Sequence, residues 1–337
     1  MSFVILNKAE VMKAIDLKDV IDGVSRVYQL KAEGKSVIWP LVNYKFVPEK
    51  AAMDIRSGYI MGEQMHGMKL LNNFPQNVQK GLPPFNGLML VYDSNTGMPV
   101  GLLDATYITC MRTGAAGALG AKALARPDSE VLMLLGAGKQ AAYQIAASLM
   151  LMPNLKRVLI TDPVAPENAK KFAETICGRL WEEFGLDACT VSFEAPATVE
   201  EAVRQADIII TVTPSTEPRI MKDWVKPGTH FSCVGSDMEG KEEIDEKIFA
   251  GARIYADDKA QCIRVGEMEL PLKHGVIEEK DIVGEIGELL AGKVPGRQND
   301  EETTIFDATG LYILDLIAAK SVLKKAEEEG IGLRAEL

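Results

Sequence analysis

The sequence predicts an α/β protein in which a doubly wound, mainly parallel Rossmann sheet is joined to a second, α+β domain. An apolar run, Val131–Leu135, is followed by Gly136-Ala137-Gly138-Lys139-Gln140-Ala141 and an alanine-rich segment. A strand, a Gly-x-Gly-x-x-Ala turn and a helix are typical of a dinucleotide-binding βαβ unit. From there to Ala256, short apolar runs alternate with helical segments, which favours a parallel sheet. The preceding residues, 36–110, have a different pattern and predict the second domain.

The N-terminal part begins with predicted helices in residues 9–33, where Asp16 or Asp19 could cap a helix. An antiparallel or mixed sheet follows, because short apolar or alternating runs are separated by Pro, Gly and Asn. These runs are Val37–Trp39, Met53–Ile60, Met65–Leu71, Leu88–Tyr92 and Val100–Leu103. A helix rich in small residues, Thr113–Leu124, is predicted next.

The alternating part predicts strands at Val131–Leu135, Arg157–Thr161, Thr190–Phe193, Asp207–Val212, His230–Val234 and Arg253–Ala256. The predicted helices are Lys139–Met150, Pro166–Phe184, Thr198–Gln205 and Asp245–Ala250, followed by an amphipathic C-terminal helix at Gly310–Gly330.

Composition excludes several classes of function. The chain has 337 residues and a net charge of −11, which argues against a nucleic-acid or anionic-membrane partner. No apolar run approaches the roughly 18 residues of a membrane span. The five cysteines form no C-x-x-C pair, so we expect free thiols and a cytoplasmic location. The three histidines are far apart in sequence, and no metal site is expected.

The glycine turn predicts a dinucleotide cofactor. Gly136 permits the tight turn and Gly138 lets the backbone approach a pyrophosphate at the helix N-terminus, with Lys139 and Gln140 beside it. Asp162, at the end of the next strand, would bind the ribose hydroxyls and repel a 2′-phosphate, which favours NAD over NADP. Four residues at the carboxyl ends of later strands are further candidates: Thr211, Pro214, Ser215 and Val234. The alternatives are a nucleotide-like fold that binds nothing and simple strand termination.

Three charged residues are candidates for the chemistry. Arg112, directly before the predicted helix at Thr113, would clamp a carboxylate or phosphate, so both residues are also cofactor candidates. Lys69 lies in an apolar strand, where a charge is costly unless it is paired or functional. Asp237 follows a strand on the cofactor side and suits a general acid/base. The alternatives are a surface salt bridge for Arg112, a solvated or edge position for Lys69, and a helix cap for Asp237.

Several segments together resemble the ornithine cyclodeaminase/μ-crystallin family, which includes an archaeal-type alanine dehydrogenase, over nearly the whole chain. They are Gly67–Leu71 with Phe74–Asn77, Arg112–Ala116, Gly136–Gln140, Ala206-Asp207 with Thr211–Ser215, Lys226–Thr229, Gly235–Asp237 with Gly240-Lys241, Pro295–Arg297 and Thr304–Gly310.

The resemblance implies a homodimer built through the sheet domain, with NAD(P) in the other domain. We therefore assign 1–117 and 311–337 to a substrate-binding and dimerisation domain and 118–310 to an NAD-binding domain. In the family, residues at the positions of Lys69 and Arg112 bind the substrate carboxylate, and the residue at Asp237 is the acid/base. Thr309 would border the substrate, and Lys241 and Ala308 the cofactor.

Asp237 favours the enzymes of the family, because μ-crystallin-like members lack it. Two positions depart from the family pattern. Lys45 stands near a position where members usually carry Arg, and Arg56 lies where ornithine-cyclising members carry Glu. An Arg there would repel a second ammonium and attract a carboxylate.

The sequence therefore predicts an NAD-dependent enzyme that transfers a hydride at the α-carbon of an amino or imino acid, as a dehydrogenase or imine reductase. Two alternatives stay open. One is ornithine cyclodeaminase proper, which converts L-ornithine to L-proline and ammonia. The other is a non-catalytic, μ-crystallin-like ligand-binding protein.

Overall fold

The computed structural model describes residues 2–48 and 50–336. The strands are β1 (Ser2–Leu6), β2 (Ser36–Ile38), β3 (Val42–Phe46), β4 (Ala51–Ile60), β5 (Met65–Asn73), β6 (Phe85–Asp93), β7 (Pro99–Asp104), β8 (Val131–Leu135), β9 (Arg157–Thr161), β10 (Ser192–Glu194), β11 (Ile208–Thr211), β12 (Thr216–Ile220), β13 (His230–Cys233), β14 (Glu242–Ile244), β15 (Arg253–Ala256), β16 (Ile282–Glu285), β17 (Thr304–Asp307) and β18 (Leu333–Glu336). The helices are α1 (Lys8–Ala14), α2 (Leu17–Ala32), α3 (Ala105–Leu124), α4 (Ala141–Leu151), α5 (Pro166–Phe184), α6 (Val199–Gln205), α7 (Lys259–Val265), α8 (Glu269–Lys273), α9 (Ile286–Leu290) and α10 (Tyr312–Glu329).

The chain forms two compact units, residues 1–112 with 311–337 and residues 113–310. The first, discontinuous unit contains an eight-stranded sheet in the order β18-β1-β7-β6-β5-β4-β2, with β3 also paired to β4. Strands β1 and β7 are parallel, and the other pairs are antiparallel. Helix α10 packs on α2 and on β4 and β5, so the sheet has one face covered by helices.

The start of α2 illustrates how the sequence sets these helices. The Asp16 side chain accepts hydrogen bonds from the backbone N–H groups of Lys18 and Asp19 and so caps the helix. Buried residues then recur at helical spacing, at Val20, Ile21, Val24, Val27 and Tyr28. This spacing directs one apolar stripe into the core of the unit.

The second unit is a doubly wound parallel sheet in the order β10-β9-β8-β11-β13-β17-β15-β16. All its neighbouring strands are parallel, as the sequence predicts. The strand order reverses between β8 and β11, and ligands of such sheets bind in the crevice beyond the carboxyl ends at this point. Strands β12 and β14 form a separate, two-stranded parallel sheet.

Helix α3 begins earlier than the sequence pattern predicts. The helix starts at Ala105, where the Asp104 carboxylate accepts hydrogen bonds from the N–H groups of Thr106 and Tyr107. Arg112 therefore lies inside a continuous helix, and the predicted clamp that combines Arg112 with a helix N-terminus at Thr113 is wrong. A helix interior has no free N–H groups to offer an anion.

The small residues of α3 have a packing role instead. A Cβ added at Gly114 would lie 2.5 Å from the Tyr143 carbonyl oxygen, and one at Gly117 would lie 2.3 Å from the Gln144 side chain. The later part of α3 therefore packs closely on α4. The predicted helix at Asp245–Ala250 is a single 3-10 turn, Glu246–Ile248. Among the helices of the described residues, none is long and apolar enough to cross a membrane.

Candidate functional site

The glycine turn lies at the switch point of the parallel sheet, directly after β8. Gly136 has φ of +113°, a conformation that L side chains rarely adopt, and a Cβ there would lie 3.0 Å from Thr213 Cγ2. Around Gly138, by contrast, a Cβ would meet no atom within 4 Å. The turn therefore approaches the loop after β11 at its first glycine and leaves space at its second, where a pyrophosphate would fit before α4 begins at Ala141.

Asp162 follows β9, the strand next to β8. Its Oδ1 accepts hydrogen bonds from the backbone N–H groups of Val164 at 3.1 Å and Ala165 at 2.9 Å. The Gly136 N–H donates to the Thr161 carbonyl oxygen at 2.8 Å, which places the glycine turn beside this strand end. The carboxylate is thus held at the carboxyl edge of the sheet, and its ribose-binding role stays a prediction.

A buried carboxylate joins the two loops after β11 and β13. Glu243 Oε1 accepts from the N–H and hydroxyl of Thr213, and Oε2 accepts from the Gly235 N–H at 3.1 Å. Burial raises the pKa of Glu243 to about 7. Burial, together with the charge of Glu243, raises the pKa of Glu267 well above its usual value. Glu267 accepts a hydrogen bond from the Ser236 hydroxyl, next to Asp237.

Asp237 forms an ion pair with Lys241, four residues later in a loop. Lys241 Nζ lies 2.6 Å from Asp237 Oδ1 and donates to the Gly235 carbonyl oxygen at 3.2 Å. The Asp237 side chain is 40% exposed, so solvent reaches its carboxylate. Lys241, which the resemblance places at the cofactor, here orients the candidate acid/base.

Ala308 and Thr309 follow β17 at the same edge of the parallel sheet, and both are buried. The Thr309 hydroxyl donates to Asp257 Oδ1 at 3.1 Å and accepts from Gln261 Nε2 at 2.9 Å. Thr211, Pro214, Ser215 and Val234 lie at or just after the ends of β11 and β13. Lys139 is exposed beside Gly138, and Gln140 directly precedes α4. The substrate or cofactor roles predicted for all of these candidate residues stay predictions.

In the other unit, Lys69 and Arg112 share one carboxylate that the sequence reasoning did not identify, Asp315 of α10. Lys69 Nζ lies 2.7 Å from Asp315 Oδ1, and Arg112 Nε lies 3.2 Å from the same oxygen. Lys69 and Asp315 are fully buried, and Arg112 is 7% exposed. We call these three residues the cationic cluster, because two cations share one anion.

Burial lowers the pKa of Lys69 to about 8, although Asp315 acts in the opposite direction, and the charges of Arg112 and Arg56 lower it further. Burial alone would raise the pKa of Asp315, but the charges of Arg112 and Lys69 outweigh it and keep that pKa below its usual 3.8. The cluster therefore contains an ionised aspartate and a lysine that can lose its proton at mildly alkaline pH.

Arg56 lies directly opposite Lys69 across the β4–β5 pair. Its Nε is 3.0 Å from Asp54 Oδ2, and both side chains are largely buried. Asp54 thus compensates the positive charge of Arg56. The sequence predicts that this charge attracts a substrate carboxylate and repels a second ammonium. Lys45 lies in β3, where it pairs with Ala52 of β4, and its side chain is exposed. Its predicted substrate role stays a prediction.

A parallel doubly wound sheet, with a glycine turn at its switch point and an acid after the adjacent strand, defines the class of dinucleotide-binding α/β proteins. Within that class, the chain belongs to the ornithine cyclodeaminase/mu-crystallin family, whose model matches residues 1–330. The resemblance and the fold class predicted from the sequence are both confirmed.

Relatives in this family include dehydrogenases and an imine reductase. Alanine dehydrogenase of Archaeoglobus fulgidus is 38% identical over 332 residues, 98% of both chains. A solved archaeal alanine dehydrogenase dimer with bound NAD is 36% identical, with a TM-score of 0.91 and full coverage of both chains. Delta(1)-pyrroline-2-carboxylate reductase of Thermococcus litoralis, solved with NADH and L-proline, is 32% identical with a TM-score of 0.90 and covers 98% of this chain and 99% of its own.

Proposed function

We propose that the protein is an NAD-dependent enzyme that acts at the α-carbon of an amino or imino acid, as an amino-acid dehydrogenase or imine reductase. The observation that carries the proposal is Asp237, a half-exposed carboxylate at the cofactor edge of the parallel sheet, held by Lys241 at 2.6 Å. It occurs in a chain whose full-length relatives include an alanine dehydrogenase and a pyrroline-carboxylate reductase.

The residues at the switch point fit an NAD molecule. Gly138 leaves open space for phosphates before α4, and the Asp162 carboxylate is fixed by two backbone N–H groups at the end of β9. NAD, when bound, supplies the hydride acceptor or donor for the α-carbon. The negative charge of Asp162 favours ribose hydroxyls over a 2′-phosphate, so NAD rather than NADP is expected.

The chain's own residues would divide the remaining work. The Lys69 ammonium and Arg112 guanidinium would bind the substrate α-carboxylate and fix the position of the α-carbon. Asp237 would take a proton from the α-ammonium during oxidation and return one to the nitrogen during reduction. In the oxidative direction it would also activate the water that hydrolyses the imine. Arg56 pairs with Lys69 across β4 and β5, so the residue nearest to Lys69 on β4 is a cation, which would not bind a distal substrate amine.

Substrate turnover tests this proposal. Purified protein is assayed by NADH absorbance with alanine, with pyruvate and ammonia, and with Δ1-pyrroline-2-carboxylate, while ornithine is followed by ammonia and proline formation. We expect turnover with at least one of the small substrates. Efficient proline formation from ornithine would instead identify a cyclodeaminase, and binding without turnover a ligand-binding protein.

The variant Asp237→Asn tests the acid/base role. We expect kcat to fall about 10²- to 10⁴-fold, because proton transfer by a positioned side chain contributes that much. NADH affinity, measured by fluorescence titration, should stay unchanged. Asp223→Asn, an exposed carboxylate in the same unit, is the matched control. A normal rate in Asp237→Asn would remove the assignment.

We also propose a cytoplasmic homodimer. All five cysteines are free thiols, and reducing compartments such as the cytoplasm keep thiols in this state. The sheet of the discontinuous unit has one face that its own helices do not cover. Met68 of β5 and Leu88 of β6 lie on it and are 43% and 57% exposed. Their register neighbours Leu70 and Leu90 share that face, and an apolar surface of this kind is typical of a subunit interface.

A further inference from the structure

Asp315 is an acid in an otherwise buried and apolar part of α10. Tyr312, Ile313, Leu314, Leu316 and Ile317 surround it in sequence and are all buried. A charge at such a position is costly unless it is paired. Its partners are Lys69 and Arg112, the two residues to which the proposed function assigns the substrate carboxylate.

We infer that Asp315 is a positioning residue for the substrate-carboxylate site: it holds the Lys69 ammonium and the Arg112 guanidinium side by side and leaves the cationic cluster with one net positive charge. This inference rests on the proposed function and names the residue that makes its carboxylate site possible.

One oxygen atom of Asp315, in α10, contacts side chains from both β5 and α3. Asp315 Oδ1 of α10 lies 2.7 Å from Lys69 Nζ of β5 and 3.2 Å from Arg112 Nε of α3. The Thr109 hydroxyl of α3 lies 3.2 Å from both Asp315 Oδ1 and Lys69 Nζ. Because the cations come from different elements, a shared anion is what fixes their spacing.

The second oxygen of Asp315 argues against a purely stabilising ion pair. Asp315 Oδ2 is buried and has no hydrogen-bond partner among the described residues. An unsatisfied buried acceptor costs roughly 1–3 kcal/mol. Replacing a buried ion pair by apolar residues is often neutral or stabilising, so stability alone does not account for Asp315 at this position.

The charge balance matches one carboxylate. Lys69 and Arg112 contribute two positive charges and Asp315 one negative charge. Nearby Arg56 is compensated by Asp54 at 3.0 Å. Tyr312 of α10 stays neutral, because burial raises the pKa of its phenol well above the usual value. The net charge of these groups is therefore +1, which one substrate carboxylate neutralises.

The inference has a pH signature. Only the protonated Lys69 can bind a carboxylate, so kcat/KM should fall as the pH rises through the pKa of Lys69, about 8. Asp315 favours the protonated form. Without its charge, the Lys69 pKa should decrease, and the alkaline limb of kcat/KM should move to lower pH by about one to three units.

The experiment compares pH profiles of kcat/KM for the wild type, Asp315→Asn, Asp315→Glu and Glu327→Gln, with alanine or Δ1-pyrroline-2-carboxylate as substrate. We expect the shifted limb in Asp315→Asn, mainly through KM, and a limb near that of the wild type in Asp315→Glu. Glu327→Gln, an exposed neutralisation on the same helix, should behave as the wild type. NADH titration should show equal cofactor affinity in all four.

An unmoved limb in Asp315→Asn, with an active wild type, would overturn the positioning role alone. A wild type inactive on every amino and imino acid would instead overturn the proposed function. If Asp315→Asn does not fold, the double variant Lys69→Met/Asp315→Asn restores the net charge of +1. Recovery of a cooperative thermal transition in the double variant supports the counter-ion role, and an equal loss of folding contradicts it.

Discussion

Asp162 shows how a single side chain can be fixed in place by the backbone that follows it. One carboxylate oxygen accepts the N–H groups of Val164 and Ala165, which orients the carboxylate at the end of β9. An Asx turn of this kind needs only an acceptor oxygen, which asparagine also provides. The negative charge can therefore be removed without removing the turn.

We predict that Asp162→Asn lowers NADH affinity roughly 10- to 100-fold, the value of one charged hydrogen bond, and reduces discrimination against NADPH. Fluorescence titrations with both nucleotides measure this. Asp187→Asn is the matched control, since Asp187 accepts the Cys189 N–H in the same way and lies far from the switch point in sequence. An unchanged ratio of NADH to NADPH affinity would contradict the ribose-binding role.

The residue types of the candidate site could be read from the sequence, but not their partners. Lys69 stands out because a lysine in an apolar strand demands an explanation, and the structure supplies Asp315, 246 positions further along the chain. The signal for Asp315 was of the same kind, an acid within a buried helix. Glu243 and Glu267 were missed because an acidic residue among loops predicts exposure, whereas backbone N–H groups hold both in the core.

At the scale of elements, the two glycines of the turn after β8 have different tasks. Gly136 is required by its backbone, with φ of +113° and Thr213 close by. Gly138 has an ordinary conformation and open space around its Cα. We therefore expect folding to depend on Gly136 and ligand binding to depend on Gly138.

We predict that Gly136→Ala lowers the free energy of unfolding by about 1–3 kcal/mol, because it strains the turn. Gly138→Ala should leave thermal unfolding unchanged and weaken NADH binding, since its methyl group occupies the space of the pyrophosphate. Thermal melts and NADH titrations of both variants separate the two effects. Equal melting temperatures in Gly136→Ala and the wild type would disprove the assignment of strain.

The alternation of strands and helices was predictable because each strand of a parallel sheet is buried on both faces and reads as an apolar run. Short elements escaped that pattern. Strand β17, Thr304–Asp307, contains two polar residues that are buried, and β1 pairs with β18 at the other end of the chain. The early start of α3 was obscured by Thr106, Tyr107 and Ile108, residue types that favour strands, although Asp104 was a visible capping signal.

At the scale of the whole molecule, the uncovered face of the discontinuous unit's sheet is the surface through which we propose that two copies pair. Its register places Met68 beside Leu90 and Leu70 beside Leu88, so apolar side chains are continuous across β5 and β6. If this face is a subunit interface, a charge at its centre would be buried in the dimer and would therefore destabilise it.

We predict that Leu88→Asp converts the proposed dimer to a monomer, as measured by sedimentation equilibrium. Val164→Asp, which replaces an apolar residue that is 82% exposed in the parallel-sheet unit, should leave the dimer intact. A Leu88→Asp protein that still sediments as a dimer would place the interface elsewhere.

The position of Asp315 in α10 also has a consequence for synthesis on the ribosome. Lys69 and Arg112 emerge early, but their shared counter-ion lies 203 positions after Arg112. Residues 113–310 form a compact unit of their own, and domains generally fold as units while the chain is being made. We therefore expect the nascent chain to complete its parallel sheet before α10 emerges, so Lys69 and Arg112 would lack their shared counter-ion until α10 has left the exit tunnel.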